Sequence, residues 1–206
     1  MTDVAEPPTG ADLGGLKLAA AACRACELWE PATQTIFGRG PARARMVLVG
    51  EQPGDVEDRQ GVPFVGPAGR LLVDAVEAAG IDKASVYVTN AVKHFRFTPS
   101  SSGRRIHQTP DLSHLTACRP WLAAELNVIR PEMVVLLGAS AAKTLLGQDF
   151  RVTRQRGQVM PGPAGSGARL LATLHPSAVL RTPPESRDEA FSGLVADLRV
   201  ARESLR

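Results

Sequence analysis

The sequence predicts an α/β protein of three layers, in which helices cover both faces of a central, mainly parallel sheet of four strands. Short apolar runs that are typical of buried strands alternate along the chain with segments of helical periodicity. Each apolar run also ends in a polar or Gly-rich motif, as strands do where a parallel sheet opens toward a ligand. The four runs cover residues 46–49, 86–88, 133–137 and 170–174.

The helices are predicted from apolar periodicity and from the Pro and Gly residues at their ends. One helix runs over about residues 67–79, with Pro67 in its first turn and Gly80 just past its end. A second covers about residues 113–129 and stops before Pro131. The other predicted helices are a short one through Leu13, Leu16 and Leu18, one through Ala141, Leu145 and Leu146 that Gly147 caps, and a last one over about residues 184–202.

Two segments have no periodic pattern. Residues 53–69 form a Gly/Pro-rich connection, and residues 94–111 form a long polar segment that contains Arg104, Arg105 and His107. A loop of that length without secondary structure is uncommon inside a compact domain and is often functional.

Length and composition place the chain among globular proteins. We expect one domain over residues 11–206, preceded by a disordered segment at residues 1–10, and a monomeric protein. No apolar run reaches the length of a membrane span, and the N-terminus lacks the pattern of a signal peptide, which predicts a cytoplasmic protein. The net charge of +3 allows nucleic-acid binding but does not require it.

Polar side chains follow three of the predicted strands at their carboxyl ends. Glu51 and Gln52 come after the first strand, Asn90 after the second and His175 after the fourth. In a parallel sheet these ends meet at one edge, so we expect the four side chains to converge on one crevice.

The cysteines suggest a metal centre. Cys23 and Cys26 are two residues apart, with Cys118 far away in sequence. Three thiolates leave a tetrahedral iron site or a four-iron cluster one ligand short, and His94 is the candidate for the fourth ligand. Zinc held by three cysteines and one histidine is an alternative. So is ordinary burial of Cys118 as a small apolar residue.

Together these motifs resemble the uracil-DNA glycosylase superfamily, in particular its iron–sulfur family-four branch. That branch has a Gly-Glu-x-Pro-Gly motif, found here at residues 50–54, and a His-Pro-Ser motif, found at residues 175–177. Its Gly-x-Pro-Phe-x-Gly-x-x-Gly stretch is matched by residues 61–69. The resemblance covers about residues 23–198. It implies a glycosylase-like fold, a 4Fe-4S cluster and uracil-containing DNA as the partner.

Two departures from the family-four pattern resemble the UdgX branch, which captures uracil-containing DNA covalently. His94 occupies the third cysteine position, and the loop that carries Arg104, Arg105 and His107 is longer than in ordinary members. Gly103 stands where this loop typically begins with Lys.

The chemistry of each side chain suggests a role in such a reaction, although each also has an ordinary structural explanation. A flipped uracil could stack on Phe64, and the Asn90 amide could read its O4 and N3–H edge. His175 could stabilise the departing uracil anion, Glu51 the sugar cation, and His107 could attack C1′. Gln52 is expected to position the base. The further predicted contacts are Gly50 and Ser177 with the substrate, and Arg104 and Arg105 with backbone phosphate.

We therefore expect a protein that cleaves the N-glycosidic bond of uracil and remains attached to the deoxyribose through His107. A multiple-turnover glycosylase that leaves an abasic site is the alternative within the same class. A cluster-bearing nucleic-acid-binding module without bond cleavage is the alternative of another class. It is disfavoured because residues 50–54 lack the Gly-x-Gly-x-x-Gly spacing of a dinucleotide site.

Overall fold

The computed structural model describes residues 4–205, which fold around one twisted sheet. Its strands are β1 Met46–Gly50, β2 Val86–Asn90, β3 Phe97–Pro99, β4 Arg105–His107, β5 Met133–Leu137, β6 Val159–Pro161 and β7 Arg169–Thr173. Its helices are α1 Leu13–Ala20, α2 Asp55–Gln60, α3 Pro67–Ala78, α4 Leu112–Ile129, α5 Gly138–Leu146, α6 Val152–Gln155, α7 Pro176–Arg181 and α8 Pro184–Glu203, with short 3₁₀ turns at Glu27–Trp29 and Lys83–Ser85.

The central sheet confirms the α/β prediction and extends it by one strand. The order is β2-β1-β5-β7-β6, and the four predicted strands pair in parallel. Strand β6 pairs antiparallel with β7 at the edge, which makes the sheet five-stranded rather than four-stranded. The prediction missed β6 because three partly exposed residues carry too little apolar pattern to mark a strand.

Alternate side chains of the buried strands enter two separate cores. Val47 and Val49 face a core that also contains Leu122 of α4, together with residues of α1 and α5. Met46 and Leu48 face the opposite core, which is closed by α3, α7 and α8. The sheet is therefore covered by helices on both faces, which explains why its central strands are apolar throughout.

The predicted helices are confirmed to within one or two residues, but three short helices were not predicted. Helices α2, α6 and α7 have only six, four and six residues. A segment of so few residues cannot display helical periodicity, so sequence pattern alone does not reveal it.

The polar segment at residues 94–111 is partly ordered as a β-hairpin rather than a structureless loop. Strands β3 and β4 pair antiparallel, with Phe97 opposite His107. Gly103 lies in the connecting turn at a φ of +76°, in the left-handed region that favours glycine. A hydrogen bond from the Gly103 amide to the Ser100 carbonyl closes this turn. Glycine at this position therefore serves the turn geometry.

The N-terminal segment predicted to be disordered falls partly outside the described residues, which begin at residue 4. Residues 4–10 form neither helix nor strand, yet Ala5 is buried and its amide donates to the Ala117 carbonyl. At least this part of the segment packs against α4. Within residues 4–205, no helix is long and apolar enough to cross a membrane.

Candidate active site

The predicted crevice exists at the carboxyl edge of the sheet. Gly50 and Asn90 are paired at the ends of β1 and β2, and His175 follows the end of β7. Two adjoining cavities of about 320 and 340 Å³ open here. His107 and His175 line both cavities, while Glu51 lines the first and Asn90 the second. The parallel topology thus brings together side chains that are far apart in sequence.

Phe64 and Asn90 both line the second cavity. A Cβ atom on Gly50 would lie 2.3 Å from Asn90 Oδ1 and 2.6 Å from Phe64 Cζ. Because Gly50 has no Cβ atom, the Asn90 amide and the Phe64 ring can approach the end of β1 this closely. Asn90 is only 3% exposed. Among the described residues, no group forms a hydrogen bond with its side-chain amide, which remains available to a ligand in the cavity.

The Phe64 loop is held in a strained backbone conformation. Phe64 has a φ of +56°, which costs a non-glycine residue on the order of 1 kcal/mol. Glu57 stabilises this arrangement, since its carboxylate accepts hydrogen bonds from the amides of Gly54 at 3.2 Å and Gly66 at 2.8 Å. Glu57 thereby ties the 50–54 motif to the Phe64 loop. This role of Glu57 was not predicted, although an acid three residues after a helix N-cap is a recognisable capping pattern.

Glu51 lies between His107 and Ser140. Its Oε1 atom is 3.3 Å from His107 Nε2, and its Oε2 atom accepts a hydrogen bond from Ser140 Oγ at 2.5 Å. Burial alone would favour the protonated form, but the hydrogen bonds from His107 and Ser140 outweigh it, so the pKa of Glu51 lies below its ordinary value. A carboxylate is therefore present beside the cavity. The sequence alone indicates no role for Ser140.

His175 is held as a neutral imidazole of defined tautomer. Its Nδ1 atom accepts a hydrogen bond from the Ser177 amide at 3.1 Å and lies 2.8 Å from Ser177 Oγ. Burial lowers the pKa of His175 to about 4, against the opposing influence of Glu51. The ring proton is consequently on Nε2, which can donate to a ligand. Ser177 acts on His175 in this way, and Arg181 in turn donates to Ser177 Oγ at 3.1 Å.

The lowered pKa of His175 predicts a pH-dependent stability. Between about pH 6.5 and the folded pKa of about 4, the unfolded chain binds a proton that the folded chain does not, so the free energy of unfolding falls as pH falls. For one such group the loss by about pH 5 is on the order of 1–2 kcal/mol. In His175→Gln we expect the free energy of unfolding to fall less between pH 7 and pH 5 than in the wild-type protein, by this amount. Urea unfolding at the two pH values measures both changes. An identical pH dependence in both proteins would contradict the assignment.

Arg105 anchors the hairpin to α2 and does not face the solvent as a phosphate-binding residue would. Its guanidinium forms ion pairs with Asp55 and with Asp58, the latter at 2.6 Å, and is 12% exposed. It also lies over the rings of Phe95 and Phe97, at 5.4 and 4.9 Å from their centroids. The prediction that Arg105 binds DNA is therefore not supported, because two carboxylates already neutralise it. Arg104, in contrast, is exposed and remains available to phosphate.

The side chain of Gln52 also holds the hairpin. Its Nε2 atom donates to the carbonyls of Arg96 at 3.2 Å and Gln108 at 3.0 Å, and its Oε1 atom accepts from the Arg96 amide at 3.0 Å. These bonds fasten both ends of the hairpin to the 50–54 motif, and His107 is thereby brought to Glu51. Gln52 is expected to position the base through its backbone or its amide, and these bonds occupy both ends of the amide, so positioning through the backbone stays the prediction.

The predicted metal ligands do not form a closed group in this structure. Among residues 4–205, no three His, Cys, Asp or Glu side chains lie close enough to hold one metal ion. His94 Nε2 lies 2.8 Å from Thr35 Oγ1. The three cysteines are free thiols that pack in one region of the core, where burial raises the pKa of Cys118 to about 12 against the lowering influence of Lys93. The predicted ligation is thus not confirmed.

The chemistry of this donor set nevertheless suits a cluster. Trp121 Nε1 donates to Cys23 Sγ and the Lys93 amide donates to Cys118 Sγ, each at 3.2 Å. Hydrogen bonds to the sulfur ligands are one of the factors that set the reduction potential of an iron–sulfur cluster. The observed contacts therefore fit sulfur ligands better than an ordinary apolar core.

Comparison with known proteins was consistent with this geometry. A type-4 uracil-DNA glycosylase of Thermotoga maritima is 36% identical over 160 residues, which are 77% of this chain and 78% of that protein. A type-4 uracil-DNA glycosylase of Archaeoglobus fulgidus is 34% identical over 172 residues, which are 81% of this chain and 82% of that protein.

The crystal structure of wild-type Pedobacter heparinus SMUG2 superposes with a TM-score of 0.50 at 12% identity, over 78% of this chain and 77% of that one. This likeness concerns the fold alone. Residues 37–199 match the sequence profile of the family described as the Uracil DNA glycosylase superfamily. With most of the chain matched and relatives more than 30% identical, the protein belongs to the uracil-DNA glycosylase superfamily.

Proposed function

We propose that this protein recognises uracil in DNA, cleaves its N-glycosidic bond and becomes covalently attached to the deoxyribose C1′ through His107, as a member of the UdgX branch. The observation that carries the proposal is the position of His107 at the mouth of both cavities, 3.3 Å from the Glu51 carboxylate. An imidazole at this position reaches the reacting carbon before bulk water does.

Recognition of the base relies on the cavity between Phe64 and Asn90. A pyrimidine extruded from the stack can lie on the Phe64 ring, while the free Asn90 amide pairs with its O4 and N3–H edge. We also propose that the cavity accepts uracil and rejects thymine, which carries an additional C5 methyl group.

Bond cleavage places negative charge on uracil and positive charge on the sugar. The neutral His175 ring can donate its Nε2–H to uracil O2 and stabilise the departing anion. The Glu51 carboxylate, ionised because its pKa is lowered, stabilises the sugar cation on the other side. Both groups act before any nucleophile attacks C1′.

Capture follows when a ring nitrogen of His107 donates its lone pair to C1′. The bond from C1′ to uracil has by then broken with its electron pair on uracil, so the new N–C1′ bond forms at the sugar cation and the imidazole becomes cationic. Glu51 is within reach of the ring and can take up the remaining N–H proton, which leaves a neutral N-alkylated imidazole. Such a bond lacks the reactivity of the ester that a carboxylate nucleophile would form, so we expect it to persist.

The second candidate is a uracil-DNA glycosylase that turns over many times; the type-4 relatives are named as uracil-DNA glycosylases. A denaturing gel separates the two. Wild-type protein mixed with a uracil-containing oligonucleotide should give a one-to-one adduct that survives boiling in detergent, and the matched thymine oligonucleotide should give none. An abasic product without an adduct would establish the second candidate instead.

We also propose that the protein carries a 4Fe-4S cluster on Cys23, Cys26, Cys118 and His94. Thr35 Oγ1 donates to the Ala20 carbonyl at 3.1 Å, so it accepts from His94 Nε2–H and leaves the lone pair on Nδ1. Burial lowers the pKa of His94 to about 4, which keeps the ring neutral and suited to bind a metal. The cluster would tie the N-terminal segment to α4.

The cluster proposal predicts a brown protein with broad visible absorption and about four irons per chain. His94→Cys should retain the iron, since thiolate is the more usual ligand, and Cys118→Ala should lose it. Iron and zinc are measured by elemental analysis of the purified protein. A colourless protein with stoichiometric zinc would overturn the cluster in favour of a zinc site.

A further inference from the structure

A buried ion pair lies directly behind the recognition strand. Lys93 and Glu125 are 1% and 0% exposed, and Lys93 Nζ lies 2.5 Å from Glu125 Oε2. The ammonium also donates to Thr89 Oγ1 at 2.7 Å and to the Asn90 carbonyl at 2.8 Å, which uses its three protons. Neither residue of the pair lines the two cavities described above.

Glu125 connects this ammonium to two further elements. Its Oε1 atom accepts hydrogen bonds from Tyr87 Oη at 2.8 Å and from the Gly38 amide at 3.2 Å. Thr89 Oγ1 lies 3.0 and 3.1 Å from its two oxygens. The carboxylate thus joins α4, strand β2 and the residue 38 segment around one satisfied network.

The network sets the tight turn that follows Asn90. The Lys93 ammonium donates a hydrogen bond to the Asn90 carbonyl. The next two backbone amides, at residues 91 and 92, donate to the carbonyls of Gly50 and Glu51, both at 2.9 Å. The turn therefore fixes the ends of β1 and β2 relative to each other. The orientation of the Asn90 side chain follows from this backbone arrangement.

We propose that the Lys93–Glu125 pair is a positioning device that aims the Asn90 amide at the uracil edge. Burying two charges costs desolvation energy, and apolar residues of similar volume often stabilise a core at least as well. The geometry explains why charged residues are buried here. The Lys93 ammonium bridges the Glu125 carboxylate of α4 to the Asn90 carbonyl at the end of β2, and an apolar side chain could not bind that carbonyl. The proposal rests on uracil recognition by Asn90 as proposed above.

The test is a double-mutant cycle between this pair and Asn90. Lys93→Met combined with Glu125→Gln removes both charges, and the amide oxygen introduced by the second substitution can still accept from Tyr87. The rate of reaction with a uracil oligonucleotide, measured in single turnover, should fall roughly ten- to a hundredfold. In the Asn90→Ala background the same substitutions should change the rate by less than about twofold, since the group that they position is gone.

Leu198→Ala is the matched control, because it removes a fully buried side chain from the core on the other face of the sheet. It should lower stability but leave the rate unchanged at temperatures where it is folded. Tyr87→Phe is the milder variant if the double substitution fails to fold. It should slow the reaction roughly threefold in the wild-type background and leave the rate unchanged in the Asn90→Ala background.

Equal losses in the wild-type and Asn90→Ala backgrounds would show a general structural role and overturn the proposal, as would an unchanged rate in both. A wild-type protein that does not react with uracil would instead refute the proposed function, and this role with it. The two failures are therefore distinguishable in the same set of measurements.

Discussion

His107→Gly is expected to abolish the covalent adduct while uracil release continues. The substitution removes the imidazole and leaves room for a water molecule beside Glu51, at the position where Nε2 now lies 3.3 Å from the carboxylate. Because His175 and Glu51 act on the leaving group and the sugar cation, bond cleavage does not depend on His107. The variant should therefore turn over and leave an abasic site.

The measurement combines a denaturing gel for the adduct with an assay of free uracil. Ile106→Gly is the control, since it introduces the same flexibility one residue away and keeps the imidazole; it should still form the adduct. Peptide mapping by mass spectrometry should find the sugar on the wild-type peptide that contains His107. An adduct that persists in His107→Gly, or a label on His175, would contradict the assignment of the nucleophile.

Glu51→Gln is expected to slow both adduct formation and uracil release by roughly 10²–10³-fold, the range for removing one preorganised electrostatic group. The amide is nearly isosteric, and its oxygen can still accept the hydrogen bond from Ser140, so the fold should be retained. What is lost is the negative charge that faces His107 and the sugar cation. Single-turnover rates measured at about neutral pH test this expectation.

Glu51 acts before the nucleophile is chosen, which gives a second expectation for this variant. In the His107→Gly background, Glu51→Gln should slow uracil release by a similar factor. Glu77→Gln provides the control, because Glu77 is an exposed residue of α3 that forms a surface ion pair with Lys83. Wild-type rates in Glu51→Gln would exclude a catalytic role for this carboxylate.

Much of the fold was predictable because its signals are local. The apolar runs of β1 and β5 and the Pro and Gly residues that bound α3 lie within a few residues of the structures that they specify. Other elements are too short for their apolar periodicity to be recognised in the sequence. These are strand β6, the β3–β4 hairpin and the short helices. The convergence of Glu51, Asn90 and His175 followed from parallel topology once the strands were identified.

The sequence by itself determined the layers of the fold, the family motifs and the residue types that reach the crevice. Only the tertiary structure decided which of those residues serve the ligand and which hold the scaffold. Arg105 pairs with Asp55 and Asp58, which precede it by about 50 residues in the sequence, and Gln52 forms hydrogen bonds with Arg96, which follows it by 44 residues. Such partners are set by how the chain packs, and a charged or amide side chain that finds a partner in the fold is no longer free for DNA.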